Sequence, residues 1–113
     1  MTRSVRFYLL GTAAMAGLAL LLHEFATNAA KYGALSTPAG RIEVECSESN
    51  GQFTLEWTEH GGPTIRNQAN SEGFGSLLAR LTVTNQLGGE LSRDWRPDGL
   101  AIRLSVMSDR LGR

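Results

Sequence analysis

A run from Phe7 to Leu22, apolar apart from Gly11, Thr12 and Gly17, passes without a break into the polar cluster His23-Glu24-Phe25-Ala26-Thr27-Asn28-Ala29-Ala30-Lys31-Tyr32. That continuity constrains the fold more than any other feature of the chain. As a membrane helix the run falls short of the ~20 apolar residues needed to cross a bilayer. Arg3 and Arg6 before it and the small residues from Ala26 to Ala29 beyond it outline a signal peptide. The cluster that follows, however, makes sense only on the same helix. The expectation is therefore a buried strand over Ser4 to Leu9, a turn at Gly11, and a buried helix capped by Thr12. This helix should run through Leu18, Leu22, Phe25 and Ala29 to about Tyr32. Gly33 then stands where a left-handed C-terminal cap is expected.

Shorter elements follow. Arg41 to Cys46 alternates, with Ile42, Val44 and Cys46 on one face, and Asn50-Gly51 is a hairpin signal. Gln52 to Glu59 alternates again, with Phe53, Leu55 and Trp57 sharing a face until His60-Gly61-Gly62-Pro63 breaks the pattern. Residues 64–72 are polar and unpatterned, a loop. Gly73-Phe74-Gly75 opens a second helix whose apolar set is Leu77, Leu78, Leu81 and Leu87, ended by Gly88-Gly89. Glu90 to Trp95 and Leu100 to Val106 form a second hairpin across Arg96-Pro97-Asp98-Gly99, with Leu100, Ile102, Leu104 and Val106 facing one way. The tail from Ser108 should fray. With 113 residues, the chain is one domain, 1–113. The elements sum to an α+β two-layer sandwich: four or five strands with two helices on one face.

Charge narrows the partners. Eleven basic residues balance eleven acidic ones, which argues against a nucleic-acid binder and leaves a polyanion only a local site. The single cysteine excludes an intramolecular disulfide and any paired-cysteine metal site. Ten of the basic residues are arginine; Lys31 is the only lysine.

Three clusters carry chemistry. Glu24, Asn28 and Lys31 are spaced four and three apart, so they stack along one helix face over roughly 10 Å. Asn and Glu oxygens suit a hard cation such as magnesium, and an ammonium suits a phosphate; a partly covered Glu–Lys pair explains the spacing equally well. In the second cluster, alternation puts Glu59 on the inward face with Trp57. A carboxylate there needs a hydrogen-bond donor: a base's exocyclic amine, a backbone N–H or an arginine would each serve. Trp57 fits a core position or a ligand contact, and His60 an exposed turn. In the third, Gly73-Phe74-Gly75 at a helix start lets backbone amides approach a phosphate, although short glycine pairs also start many ordinary helices. No Walker lysine follows.

Together these clusters resemble a family. His23 to Ser36 is similar to the N box of HWE-class sensor histidine kinases, and Trp57-Thr58-Glu59 resembles the Trp-x-Glu signature that names the class with His23. The resemblance spans roughly residues 5–107. It implies the Bergerat (GHKL ATPase) fold of the bacterial kinases' catalytic domain: a mixed, mostly antiparallel sheet with helices on one face and a short ATP lid. It also implies roles. Asn28 would bind Mg2+, with Glu24 organising the metal or activating the attacking group. Lys31 would contact phosphate and Tyr32 would lie against adenine. Glu59, standing where relatives of the wider family carry aspartate, would accept from the adenine amine. Gly61 and Gly62 would leave room beside the nucleotide, and Gly73, Phe74 and Gly75 would border the phosphates.

The resemblance further implies ATP as cofactor, a histidine-bearing dimerisation domain and a response regulator as partners, and a cytoplasmic, two-component setting. Three departures stand out. Only about ten residues separate the glycine boxes. Leu100 follows Gly99 where many relatives have threonine. Neither His23 nor His60 has the flanking pattern of a phosphoacceptor, so phosphotransfer should need histidine-bearing helices supplied in cis or by a partner. His23 is expected against the pocket wall. The alternatives are a stand-alone ATPase or protein-serine kinase of the same fold, and a degenerate binding module.

Overall fold

The computed structural model describes residues 12–63, 74–97 and 99–112. The expected strand over Ser4 to Leu9, the loop over 64–72 and Gly73 lie outside the described residues. Helix α1 spans Thr12–Lys31, and a single 3-10 turn covers Ala34–Ser36. Strands β1 (Arg41–Ser49) and β2 (Gln52–His60) are followed by helix α2 (Phe74–Thr82). A π-helical turn (Val83–Leu87) then leads to β3 (Glu90–Arg96) and β4 (Gly99–Met107), and a 3-10 turn covers Ser108–Gly112.

The described strands make one antiparallel sheet in the order β1-β2-β4-β3. Asn50 and Gly51, at φ 54° and 76°, close the β1–β2 hairpin as a two-residue turn between Ser49 and Gln52. Both central residues with positive φ match the right-handed strand twist. Register does the rest: Phe53, Leu55 and Trp57 of β2 pair with Val106, Leu104 and Ile102 of β4 on one face, and these six, with Glu59 and Leu100, are buried. Onto that face α1 lowers Leu21, Phe25 and Ala29, and the π-helical turn adds Val83 and Leu87. The inner strands carry the core; the edge strands add only the partly buried Ile42 and Leu91. Where α1 crosses α2, a side chain at Gly17 would come within 3.1 Å of Thr82 Cγ2.

Four expectations change. The first helix is not buried all round: Met15 is 58% and Leu22 36% exposed, because two layers cover one side of a helix. In α2, Leu77, Leu78 and Leu81 remain about two-fifths exposed. The wider π turn instead directs Val83 and Leu87 inward, and Gly88 ends it at φ 62°, ψ 30°. On β1, Val44 and Cys46 share the inward face yet stay exposed, since the edge strand reaches past the helix layer. The tail forms a 3-10 turn over Ser108–Gly112, with Ser108 N–H donating to Gly51 O at 2.8 Å and Arg110 lying against Gly88.

Candidate functional site

Helix α1 fixes one wall. At 100° per residue, Glu24, Asn28 and Lys31 fall roughly 60–120° around the axis from Phe25. They follow the seam between core and solvent: Glu24 and Asn28 are half-buried, and Lys31 and Tyr32 are exposed. The structure therefore keeps the three polar residues in one row at the rim of the helix layer. His23 is exposed on the opposite side of α1, not packed against a pocket wall. The reason is angular: it stands two positions from fully buried Leu21, more than half a turn around.

The other wall is the end of β2. Glu59 is 3% exposed. Its Oε1 accepts the Ala34 N–H at 3.1 Å and its Oε2 accepts the Trp57 Nε1–H at 2.9 Å. Period-two geometry puts Trp57 and Glu59 on one face, so the indole reaches along its own strand to the carboxylate. The indole is held in turn by Phe25 of α1, edge to face, with ring centroids 5.6 Å apart and planes at 62°. Burying a carboxylate without partners costs on the order of several kcal/mol; two fixed donors offset part of that cost. A carboxylate has about four lone-pair sites, so two donors leave it able to accept again.

Gly33 makes this arrangement possible. It is not the left-handed cap its position suggests, for it sits at φ −113°, ψ −145°. Helix α1 closes instead with Tyr32 N–H on Asn28 O (2.8 Å) and Gly33 N–H on Ala29 O (3.1 Å). A Cβ at Gly33 would overlap Glu59 Oε1, so the missing side chain is the space the carboxylate occupies. Gly61 is in the left-handed region at φ 74°, where a Cβ would lie 2.7 Å from Ala39 O; one at Gly62 would lie 2.9 Å from Ala34 N. Thr37 Oγ1 donates to Gly61 O at 2.7 Å. The neighbour for which Gly61 and Gly62 make room here is thus the 33–40 loop. His60 turns to the helix-free face, its Nε2 3.0 Å from Glu43 Oε1.

The structure brings together Glu59, Trp57, Gly33, Ala34 and the Gly61-Gly62 turn, just beyond the end of the helix that carries the α1 row. Phe74 and Gly75 begin α2, and Gly73 lies outside the described residues. Sequence reasoning missed Phe25, Gly33, Ala34 and Thr37. Only Gly33 carried a signal, a glycine directly after a helix, and that signal reads by default as a cap. Two open concavities, about 850 and 230 Å³, lie elsewhere; Thr54, Glu56, Ser92, Arg103 and Ser105 of the helix-free face contribute to their walls. Among the described residues no group of three or more His, Cys, Asp or Glu could hold a metal ion. A cation at the α1 row would have oxygens of Asn28 and Glu24, with phosphate and water completing its shell. That donor set suits magnesium, which keeps several waters and binds through one or two protein oxygens plus substrate phosphates.

No family model matches the sequence. The chain is 40% identical over 99 residues to blue-light-activated histidine kinase 1 of Erythrobacter litoralis, covering 86% of this chain and 27% of that protein. It is 39% identical over 93 residues to the blue-light-activated histidine kinase of Rhizobium johnstonii, covering 80% and 27%. These likenesses bear out the resemblance to histidine kinases and are consistent with an HWE-type ATP-binding domain. It spans about a quarter of the length of these curated relatives. Solved histidine kinases share the fold. The histidine kinase domain of an Erythrobacter litoralis blue-light-activated kinase superposes with a TM-score of 0.74 at 22% identity, over 88% of this chain and 47% of that one. The catalytic domain of histidine kinase ThkA gives 0.66 at 15% identity, over 82% and 67%. The α+β sandwich expected from the sequence is thus the fold of histidine kinase catalytic domains. Among its described residues no helix is long and apolar enough to cross a membrane.

Proposed function

We propose that this catalytic domain binds Mg·ATP between α1 and the end of β2, and donates the γ-phosphoryl group to a histidine on a dimerisation domain. The observation that carries the reading is Glu59: a buried carboxylate, fixed by two donors and able to accept a third, beside the helix that bears Asn28 and Lys31. Adenine presents an amine to that acceptor. Guanine presents a carbonyl, which would set two acceptors face to face with no proton between them.

Each residue then has a task. Glu59 selects the base and Tyr32 covers it. Lys31 pairs with phosphate at the rim, where its exposed ammonium meets a ligand entering from solvent. Asn28 and Glu24 supply oxygens to the cation, and Gly73, Phe74 and Gly75 border the phosphates at the start of α2. Magnesium, when bound, neutralises charge on the phosphate oxygens. Transfer breaks the bond from the γ-phosphorus to the bridging oxygen, releases ADP, and forms a phosphorus–nitrogen bond to the acceptor imidazole. Glu24 orients that imidazole or takes its proton. In-line attack needs the acceptor held about 3 Å from phosphorus, a proximity that a docked domain provides. Such a domain works in the cytoplasm, with a response regulator receiving the phosphoryl group next.

The test is incubation of the full chain with γ-labelled ATP, alone and with the dimerisation domain of a relative. The expected result is an acid-labile, base-stable label on the added domain and none on this chain. Label on this chain, lost in His23→Ala or His60→Ala, would overturn the reading. Label on serine would favour the protein-serine kinase alternative.

A further inference from the structure

We infer that Trp57 is a positioning residue for base selection: its indole N–H aims the Glu59 carboxylate, so adenine preference depends on that one hydrogen bond. The inference rests on the reading of Glu59 as the adenine acceptor and goes beyond it, because it assigns the selectivity to a residue the nucleotide need not touch.

Three observations carry it. The Trp57 Nε1–Glu59 Oε2 bond is 2.9 Å long and buried, so water cannot replace the donor if it is lost. The second donor, Ala34 N–H, holds only Oε1. With one anchor the carboxylate can swing about its terminal torsion, which is broad and weakly restrained; with two it is fixed in a plane. Finally, the indole is itself fixed. Trp57 is 6% exposed and packs edge to face on Phe25, which is 1% exposed. Phe25 stands three residues before Asn28 on α1. A single chain of contacts therefore runs from α1 through Phe25 and Trp57 to Glu59, and on to Ala34 in the 3-10 turn that follows α1. The arrangement sets the base acceptor and the phosphate row in one register. It also gives a physical reason for tryptophan two residues before glutamate on this strand: same-face spacing, a ring large enough to reach the core, and a donor with no acceptor function.

The test compares ADP with inosine diphosphate, in which a carbonyl replaces the 6-amino group, by calorimetry on the full chain with magnesium present. The parent should prefer ADP by about tenfold or more. In Trp57→Phe the preference should shrink to within about threefold through loss of ADP affinity, with inosine diphosphate affinity unchanged. Should Trp57→Phe fail to fold, β-(3-benzothienyl)alanine at position 57 keeps the ring shape and removes only the N–H; the same collapse of preference is expected. A Trp57 variant that keeps the parent's preference, or loses both affinities equally, would overturn the inference while leaving the Glu59 reading standing. A parent without preference would overturn both.

Discussion

The account depends most on one carboxylate and the backbone that makes room for it. Glu59 is buried because Gly33 has no side chain, and it tolerates burial because Ala34 N–H and the Trp57 indole donate to it. Gly33→Ala tests this packing directly. Its Cβ would overlap Glu59 Oε1 and sit 3.1 Å from Ala29 Cα. Neither neighbour can yield easily: one is held by two hydrogen bonds and the other is helix backbone. Urea unfolding should show a loss of about 1–3 kcal/mol, the usual cost of overpacking, together with weaker nucleotide binding. A variant as stable as the parent would mean that the 33–40 loop is free to move off Glu59.

At the scale of elements, α1 does two jobs with two stripes. Leu21, Phe25 and Ala29 anchor it to the sheet, and Glu24, Asn28 and Lys31 follow the seam beside them. Substitutions on the seam should therefore change chemistry and spare the fold. Asn28→Ala should abolish the part of nucleotide affinity that depends on magnesium, because the cation loses an oxygen ligand. Glu24→Gln should spare binding more than turnover, slowing transfer to an added histidine domain by about 10²-fold or more, a typical general-base contribution. The checks are calorimetry with and without magnesium and a labelled-transfer time course; if both variants match the parent, the row is merely structural.

The four described strands, the Asn50-Gly51 hairpin, the Gly88 stop and the single-face spacing of the α1 row were legible in the sequence, because period-two and period-3.6 patterns report local geometry. What was not legible depends on tertiary partners. Gly33 looked like a cap because its partner, Glu59, is 26 positions away in the chain. Leu77, Leu78 and Leu81 looked like core because their spacing is helical, while a π turn two residues further on supplies the actual contacts. The exposure of His23 follows from its angle to Leu21, which becomes useful only once the buried line of α1 is known.

At the scale of the molecule, the two faces of the sheet differ in kind. The helix-free face is polar, and its ion pairs, among them Arg103–Glu56 at 3.4 Å and Arg96–Asp94 at 2.8 Å, are largely solvent-exposed and contribute little. The helix-facing side holds the core and, at one end, the buried Glu59. With zero net charge, no long-range field draws a polyanion to the molecule; affinity for a nucleotide has to come from that end of the sheet and the α1 row. The most direct measurement is therefore a calorimetric titration of the full chain with ADP, with and without magnesium, beside the same titration with GDP. The account predicts that ADP binds, that magnesium strengthens it, and that GDP binds at least about tenfold more weakly, the cost of leaving a buried acceptor facing another acceptor. Equal affinity for ADP and GDP, or binding of neither, would contradict it.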